Sequence, residues 1–136
     1  MNRRYVKDVV KGRTLFSLPS VVSVSVAAKE MRERGCGAVI VMEGGRLAGI
    51  FSERDGLFRV IAEGLDPANT PLSAVMTRNV IAVGAGATIS DALHRMEDGG
   101  FRHLVLVEDG VPVGLVSMRD ALGYRQDRNH KAGGVA

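Results

Sequence analysis

The sequence predicts an α/β (α+β) protein of two tandem β-α-β-β-α repeats, packed on each other by pseudo-two-fold symmetry through their sheets. Three observations predict this. The segment AVIVMEGGRLAGIFSERD, 38–55, aligns without a gap with HLVLVEDGVPVGLVSMRD, 103–120. Extended to 14–57 against 79–122, the match holds 44 pairs and eleven identities at a constant offset of 65. Each copy is also too short to bury a robust core alone, so the two copies are expected to pack on each other.

The elements follow in order. Residues 1–13 form an arm in which Tyr5, Val6, Val9 and Val10 have the spacing of a short helix. The first repeat spans 14–66 and opens with a strand at Leu15–Leu18. A helix follows, with Val24, Ala27, Ala28 and Met31 on one face and a stop at Gly35. Val39–Met42 and Leu47–Phe51 are strands flanking the turn Glu43-Gly44-Gly45-Arg46, where glycine supplies positive φ. Both strands are nearly continuous apolar runs, which predicts that both faces are covered. A last helix runs from Glu53 to about Glu63. Residues 67–78 are a linker marked by Pro67 and Pro71, with one helical turn at Leu72–Met76. The second repeat, 79–125, repeats the pattern. It has a strand at Val80–Val83 and a helix from a capping box at Thr88-Ile89-Ser90-Asp91 to Gly100. Strands Leu104–Val107 and Val113–Val116 then flank Glu108-Asp109-Gly110, and a helix starts at Met118. Val26 stands opposite Asp91, so the first copy lacks the acidic half of the box. The polar stretch 126–136 is expected to be a flexible basic tail.

Composition narrows the function classes. The chain has 136 residues, 46% hydrophobic and 24% charged, within the globular range and unlike a disordered chain. No apolar run approaches a membrane span, and the basic N-terminus has no apolar stretch behind it to make a secretory leader. The single cysteine, Cys36, makes no internal disulfide and fits a reducing, cytoplasmic setting. Gly35-Cys36-Gly37 before a strand predicts a small buried thiol. The net charge of +3 sits at the ends: residues 1–13 carry +4, residues 124–136 carry +2, and the body between carries −3. With four Phe, two Tyr and no Trp, a base-stacking platform is poorly supplied, and nucleic acid is not the expected partner. His94, His103 and His130 lack a metal-ligand spacing, and His94 reads as an exposed helix residue. The repeat-borne methionines, such as Met31 and Met96, read as core filling. No nucleophile elbow or phosphate-cradling lysine loop occurs, so an enzyme is not expected.

The chemistry concentrates in two heptads, Gly49-Ile50-Phe51-Ser52-Glu53-Arg54-Asp55 and Gly114-Leu115-Val116-Ser117-Met118-Arg119-Asp120. Each sits where a strand ends and a helix begins. Free N–H groups there favour an anion. The serine offers a phosphate donor, and the aspartate an acceptor pair for a ribose diol. The same Ser-x-x-Asp spacing is a capping box that needs no ligand, and the residues alone leave both readings open.

These heptads, each after a strand–turn–strand, together with Val75-Met76-Thr77 and Phe101-Arg102-His103-Leu104-Val105-Leu106-Val107, resemble the CBS-domain family. The likeness is to a stand-alone tandem pair, or Bateman module, and covers about residues 5–125. It implies a regulatory module that binds an adenosine-containing ligand in clefts between the repeats and modulates a partner protein or its own assembly. AMP, ADP and ATP are the first candidates, with NAD and S-adenosylmethionine behind them. The motif implies Asp55 and Asp120 as ribose ligands and Ser52 and Ser117 as phosphate ligands. Arg102, His103, Arg54 and Arg119 are further phosphate contacts by position. Phe16, Ala38, Val39, Ile81, Ala82 and Leu104 fall where the family packs the base. The second copy carries Arg102-His103 where the first has Gly37-Ala38, so the two sites should differ in phosphate affinity. A homodimer and an unidentified target protein are the implied partners. A structural or dimerisation module with vestigial sites is the alternative.

Overall fold

A computed structural model describes residues 4–124. The tail predicted at 126–136, and His130 with it, lies outside the described residues. The chain forms two compact units, one of Phe16–Val80 and the other of Ile81 onward joined by the segment up to Leu15.

The first element, α1 (Val6–Val10), buries Val6 and Val9 in the core of the second unit. The first unit then runs β1 (Ser17–Pro19), α2 (Val24–Arg34), β2 (Ala38–Glu43) and β3 (Arg46–Ser52). The crossover through α2 makes β1 parallel to β2, while the hairpin makes β3 antiparallel, so the sheet order is β1-β2-β3. The hairpin turn is two residues long, with Gly44 at φ 56° and Gly45 at φ 78°. Two successive positive φ angles match the right-handed twist of the flanking strands. The Ser23 hydroxyl accepts from the Val26 N–H at 3.2 Å and caps α2. Gly35, left-handed at φ 65°, ends it.

A short α3 (Glu53–Asp55) follows and widens into a π-helix over Gly56–Ile61. The regular helix expected from Glu53 to Glu63 is therefore corrected. Its apolar residues do not keep one face to the core: Val60 is buried, but Leu57, Phe58 and Ile61 are exposed. After α4 (Leu72–Val75), Thr77 bridges to Ile50 of β3, with Ile50 N–H donating to the Thr77 carbonyl at 2.9 Å and Thr77 N–H to Ile50 at 2.8 Å. The residues read as a linker thus complete the first unit.

The second unit repeats the plan with β4 (Ala82–Val83), α5 (Ile89–Gly99), β5 (His103–Glu108) and β6 (Val111–Ser117), in the order β4-β5-β6. The Thr88 hydroxyl accepts from Asp91 N–H at 3.1 Å, the hydroxyl arm of the predicted box. Its hairpin uses Asp109 at φ 51° and Gly110 at φ 77°. The chain is helical again over 118–124. Here α1 plays the part that α4 plays in the first unit. It packs on β6, and the Val6 N–H donates to the Ala87 carbonyl at 3.0 Å. Each repeat is thus finished by the segment leading into the other repeat.

Each core is drawn from the predicted apolar positions. Ala27, Met31, Val39, Val41 and Leu72 fill one, and Ile89, Ala92, Met96, Leu104 and Leu106 the other. His94 is exposed as expected. Both first strands begin later than the sequence suggested, at Ser17 and Ala82 rather than Leu15 and Val80. Pro19, which has no N–H to donate, is tolerated because β1 is an edge strand. Cys36 is exposed, correcting the buried thiol. Its N–H returns to the Met31 carbonyl at 3.0 Å to close α2, and that turns the side chain outward.

Candidate functional site

The two Ser-x-x-Asp motifs occupy equivalent places, each at the end of a hairpin's second strand. The β-ladders set their surroundings. Ala38 lies across from Ser52, and His103 lies across from Ser117. The basic half of the pattern therefore stands beside the second motif only.

The first motif is closed. Asp55 is 5% exposed, and both its carboxylate oxygens are engaged. Oδ2 accepts from Ser52 N–H at 3.0 Å and from the Ser52 hydroxyl at 3.1 Å. Oδ1 accepts from the Thr77 hydroxyl at 2.9 Å and lies 3.5 Å from Arg59 Nε. Arg59 also donates to the Met76 carbonyl at 3.0 Å, so one guanidinium ties the π-helix to the segment after α4. A buried carboxylate needs this number of donors to offset its lost hydration.

The second motif is open. Ser117 N–H donates to Asp120 Oδ2 at 3.4 Å, and Asp120 N–H donates to the Ser117 hydroxyl at 2.9 Å. No threonine stands at the equivalent of Thr77; the offset of 65 puts Gly12 there. The next residue, Arg13, reaches Asp120 Oδ2 with its guanidinium at 3.2 Å instead. The side chains of Arg13 and Asp120 are 49% and 37% exposed. Partial burial raises the Asp120 pKa, but the Arg13 hydrogen bond, the Ser117 N–H and the Arg13 charge outweigh it. The carboxyl is held below its ordinary 3.8.

The helix-start N–H groups expected to await an anion are largely spent. Ser52 and Asp55, like Ser117 and Asp120, bond each other as capping boxes do. Glu53 N–H donates to the Gly37 carbonyl at 2.9 Å and Met118 N–H to the Arg102 carbonyl at 2.7 Å. Side chains rather than bare backbone must then supply any phosphate contact. Arg102 and Arg119 are exposed near the second motif, and His103 is half-buried. Arg54 lies over the Phe58 ring at 5.6 Å. Of the positions assigned to a base, Phe16, Val39, Ile81 and Leu104 are buried in the two cores, Ala38 is buried, and Ala82 is exposed. Among the described residues no group of His, Cys, Asp and Glu is arranged to hold a metal ion. None of their helices is long and apolar enough to cross a membrane.

Three residues of these sites were given no site role from the sequence: Arg59, Arg13 and Thr77, the last quoted only as part of the Val75-Met76-Thr77 motif. The i,i+4 spacing of Asp55 and Arg59 was a local signal. The other two act across 22 and 107 residues of chain, which no motif spacing records.

Comparison with known proteins agrees with the fold. The model of the CBS domain family matches residues 6–61 and 72–127. The chain belongs to the CBS domain family, as a tandem pair. The CBS domain-containing protein CBSCBSPB3 of Arabidopsis thaliana is 42% identical over 96 residues, 70% of this chain and 17% of that protein. The chain thus spans only a small part of that relative's length. A CBS-domain containing protein from Agrobacterium tumefaciens is 32% identical in structural alignment, with a TM-score of 0.80, covering 89% of this chain and 92% of the other. A CBS domain protein from Pyrobaculum aerophilum, solved in complex with AMP, is 25% identical with a TM-score of 0.76, covering 85% and 88%.

Proposed function

We propose that this chain is a sensor module that binds an adenine nucleotide at its second motif and passes the bound state to a partner protein or to its own assembly. The observation that carries this reading is the contrast between the two aspartates. Asp55 is buried with every acceptor in use, whereas Asp120 presents a half-exposed carboxylate beside Ser117, Arg102 and His103. An exposed carboxylate can trade its donors for the two hydroxyls of a ribose. The Arg102 guanidinium nearby suits a phosphate. The AMP complex of the Pyrobaculum relative supports the ligand class. AMP, ADP and ATP are the first ligands in this reading, with NAD and S-adenosylmethionine as other adenosyl candidates. The lone cysteine suits a cytoplasmic setting.

Isothermal titration of the full chain with AMP, ATP, NAD and S-adenosylmethionine tests the proposal. Binding of at least one, weakened tenfold or more in Asp120→Ala while the chain stays folded, is the expected result. Absence of heat and of any thermal shift with all four would sink it.

A second reading has its own observation. Leu57, Phe58 and Ile61 of the π-helix are 52%, 54% and 70% exposed. Leu57 and Ile61 line an apolar groove of about 730 Å³ between α2 and the π-helix, together with Val24, Ala28, Met31 and Phe51 among others. Such a face suits a homodimer contact, and the chain is then a dimerisation module whose first site is purely structural.

A further inference from the structure

The segment before the first repeat does more than pack on the second unit. Its helix α1 is fastened by Val6 and Val9 in the core and by Val10 against Gly114. Ile89 N–H donates to the Arg4 carbonyl at 2.8 Å. Beyond α1 the chain turns, with Arg13 N–H donating to the Val10 carbonyl at 3.0 Å and Gly12 at φ 79°. This turn delivers the Arg13 guanidinium to Asp120 Oδ2, and three residues later the chain enters the first unit.

We propose that Arg13 is a ligand-displaceable latch: it occupies the Asp120 carboxylate that the ribose diol of a nucleoside would take. The inference rests on the nucleotide reading of the second motif. A diol needs both carboxylate oxygens as acceptors, and Arg13 already claims one of them. The two donors therefore compete for the same atom. The pair is weak enough to be exchanged, because both partners are about half exposed and a solvent-accessible ion pair adds little. The equivalent position in the first unit works differently. There Arg78 turns away to Glu43 at 3.7 Å and to the Ser73 carbonyl at 3.1 Å, and the half-buried Thr77 together with Arg59 holds the buried Asp55. Of the two ion pairs, Arg59–Asp55 has its carboxylate buried, whereas in Arg13–Asp120 both partners reach solvent, so the second motif carries the more exchangeable occupant. Arg13 lies on the stretch that joins the units, so its release by ligand changes how residues 11–15 are held. Binding energy is thereby coupled to that connection.

Adenosine, which is neutral, separates competition at the carboxylate from any phosphate contact. Titration of the full chain should show Arg13→Gln binding adenosine about two- to fivefold more tightly than the parent, the range for losing an exposed ion pair. Raising the salt should tighten adenosine binding to the parent, because salt screens Arg13 from Asp120, and should leave Arg13→Gln flat. Arg13→Lys should fall between them. Carboxyl NMR of the ligand-free Arg13→Gln should show the Asp120 pKa raised. If adenosine and AMP bind the parent and lose affinity in Asp120→Ala, yet Arg13→Gln gains nothing for adenosine, the latch is overturned and the nucleotide reading stands. If neither compound binds the parent, both fall together.

Discussion

Asp55 and Asp120 show how one residue type in one motif takes two roles according to its neighbours. Burial of Asp55 is offset by the Ser52 N–H and hydroxyl, the Thr77 hydroxyl and Arg59. Removing the charge leaves those donors facing a poorer acceptor. Asp55→Asn is therefore expected to destabilise the fold by about 1–3 kcal/mol, read as a lower urea midpoint with an unchanged slope. Asp120→Asn, with its carboxylate half in water, should move that midpoint far less. The motif itself was legible in the sequence, since Ser-x-x-Asp recurs at a constant offset. The difference between the copies was not, because Thr77 and Arg13 reach their aspartates from distant chain.

At the scale of elements, the signals in the sequence were local and strong. Glycine at a helix stop, a hydroxyl at a helix start and a two-residue turn needing positive φ each act within about four residues. The helices and hairpins they bound appear near their expected places. The failures are those where tertiary contact chose the outcome. The π-helix at Gly56–Ile61 carries Arg59 onto both Asp55 and the Met76 carbonyl, a contact that no periodicity specifies. The glycines of the heptads are explained at this scale too. A Cβ at Gly49 would run into the carbonyl oxygen of Thr77, and one at Gly114 would lie 2.8 Å from Val10 Cγ1. Gly49→Ala must push backbone that is hydrogen-bonded in both directions, so a loss of about 1–3 kcal/mol is expected. Gly114→Ala meets a side chain of the short α1 and should cost less, while increasing amide exchange in α1. Equal losses in the two variants would contradict the backbone clash.

For the whole molecule, the reciprocal exchange of segments matters most. The stretch before each repeat completes the other repeat's motif, α1 and Arg13 for the second and α4 and Thr77 for the first. A module built this way resists division into its sequence repeats. A chain cut after residue 66 would lack Leu72, Val75, Met76 and Thr77 from its core and site, and should fail to give a cooperative thermal transition. Leu57, Phe58 and Ile61 are exposed, and the dimer reading uses them as the contact face. Leu57→Glu combined with Ile61→Glu is expected to convert a dimer to a monomer in light scattering, without loss of circular dichroism. A parent chain already monomeric at high concentration would remove the dimer reading.

The amino-acid sequence by itself determined the duplication, the element order and the two Ser-x-x-Asp motifs. These depend on local periodicity, capping and turn chemistry, which a chain displays in consecutive residues. It also placed the net positive charge at the ends, and so directed attention away from nucleic acid. Only the tertiary structure decided which aspartate is a buried strut and which is an open acceptor. That choice turns on one hydroxyl 22 residues away and one guanidinium 107 residues away. Desolvation and partner exchange are properties of the folded neighbourhood, and two copies of one motif acquire different chemistry there.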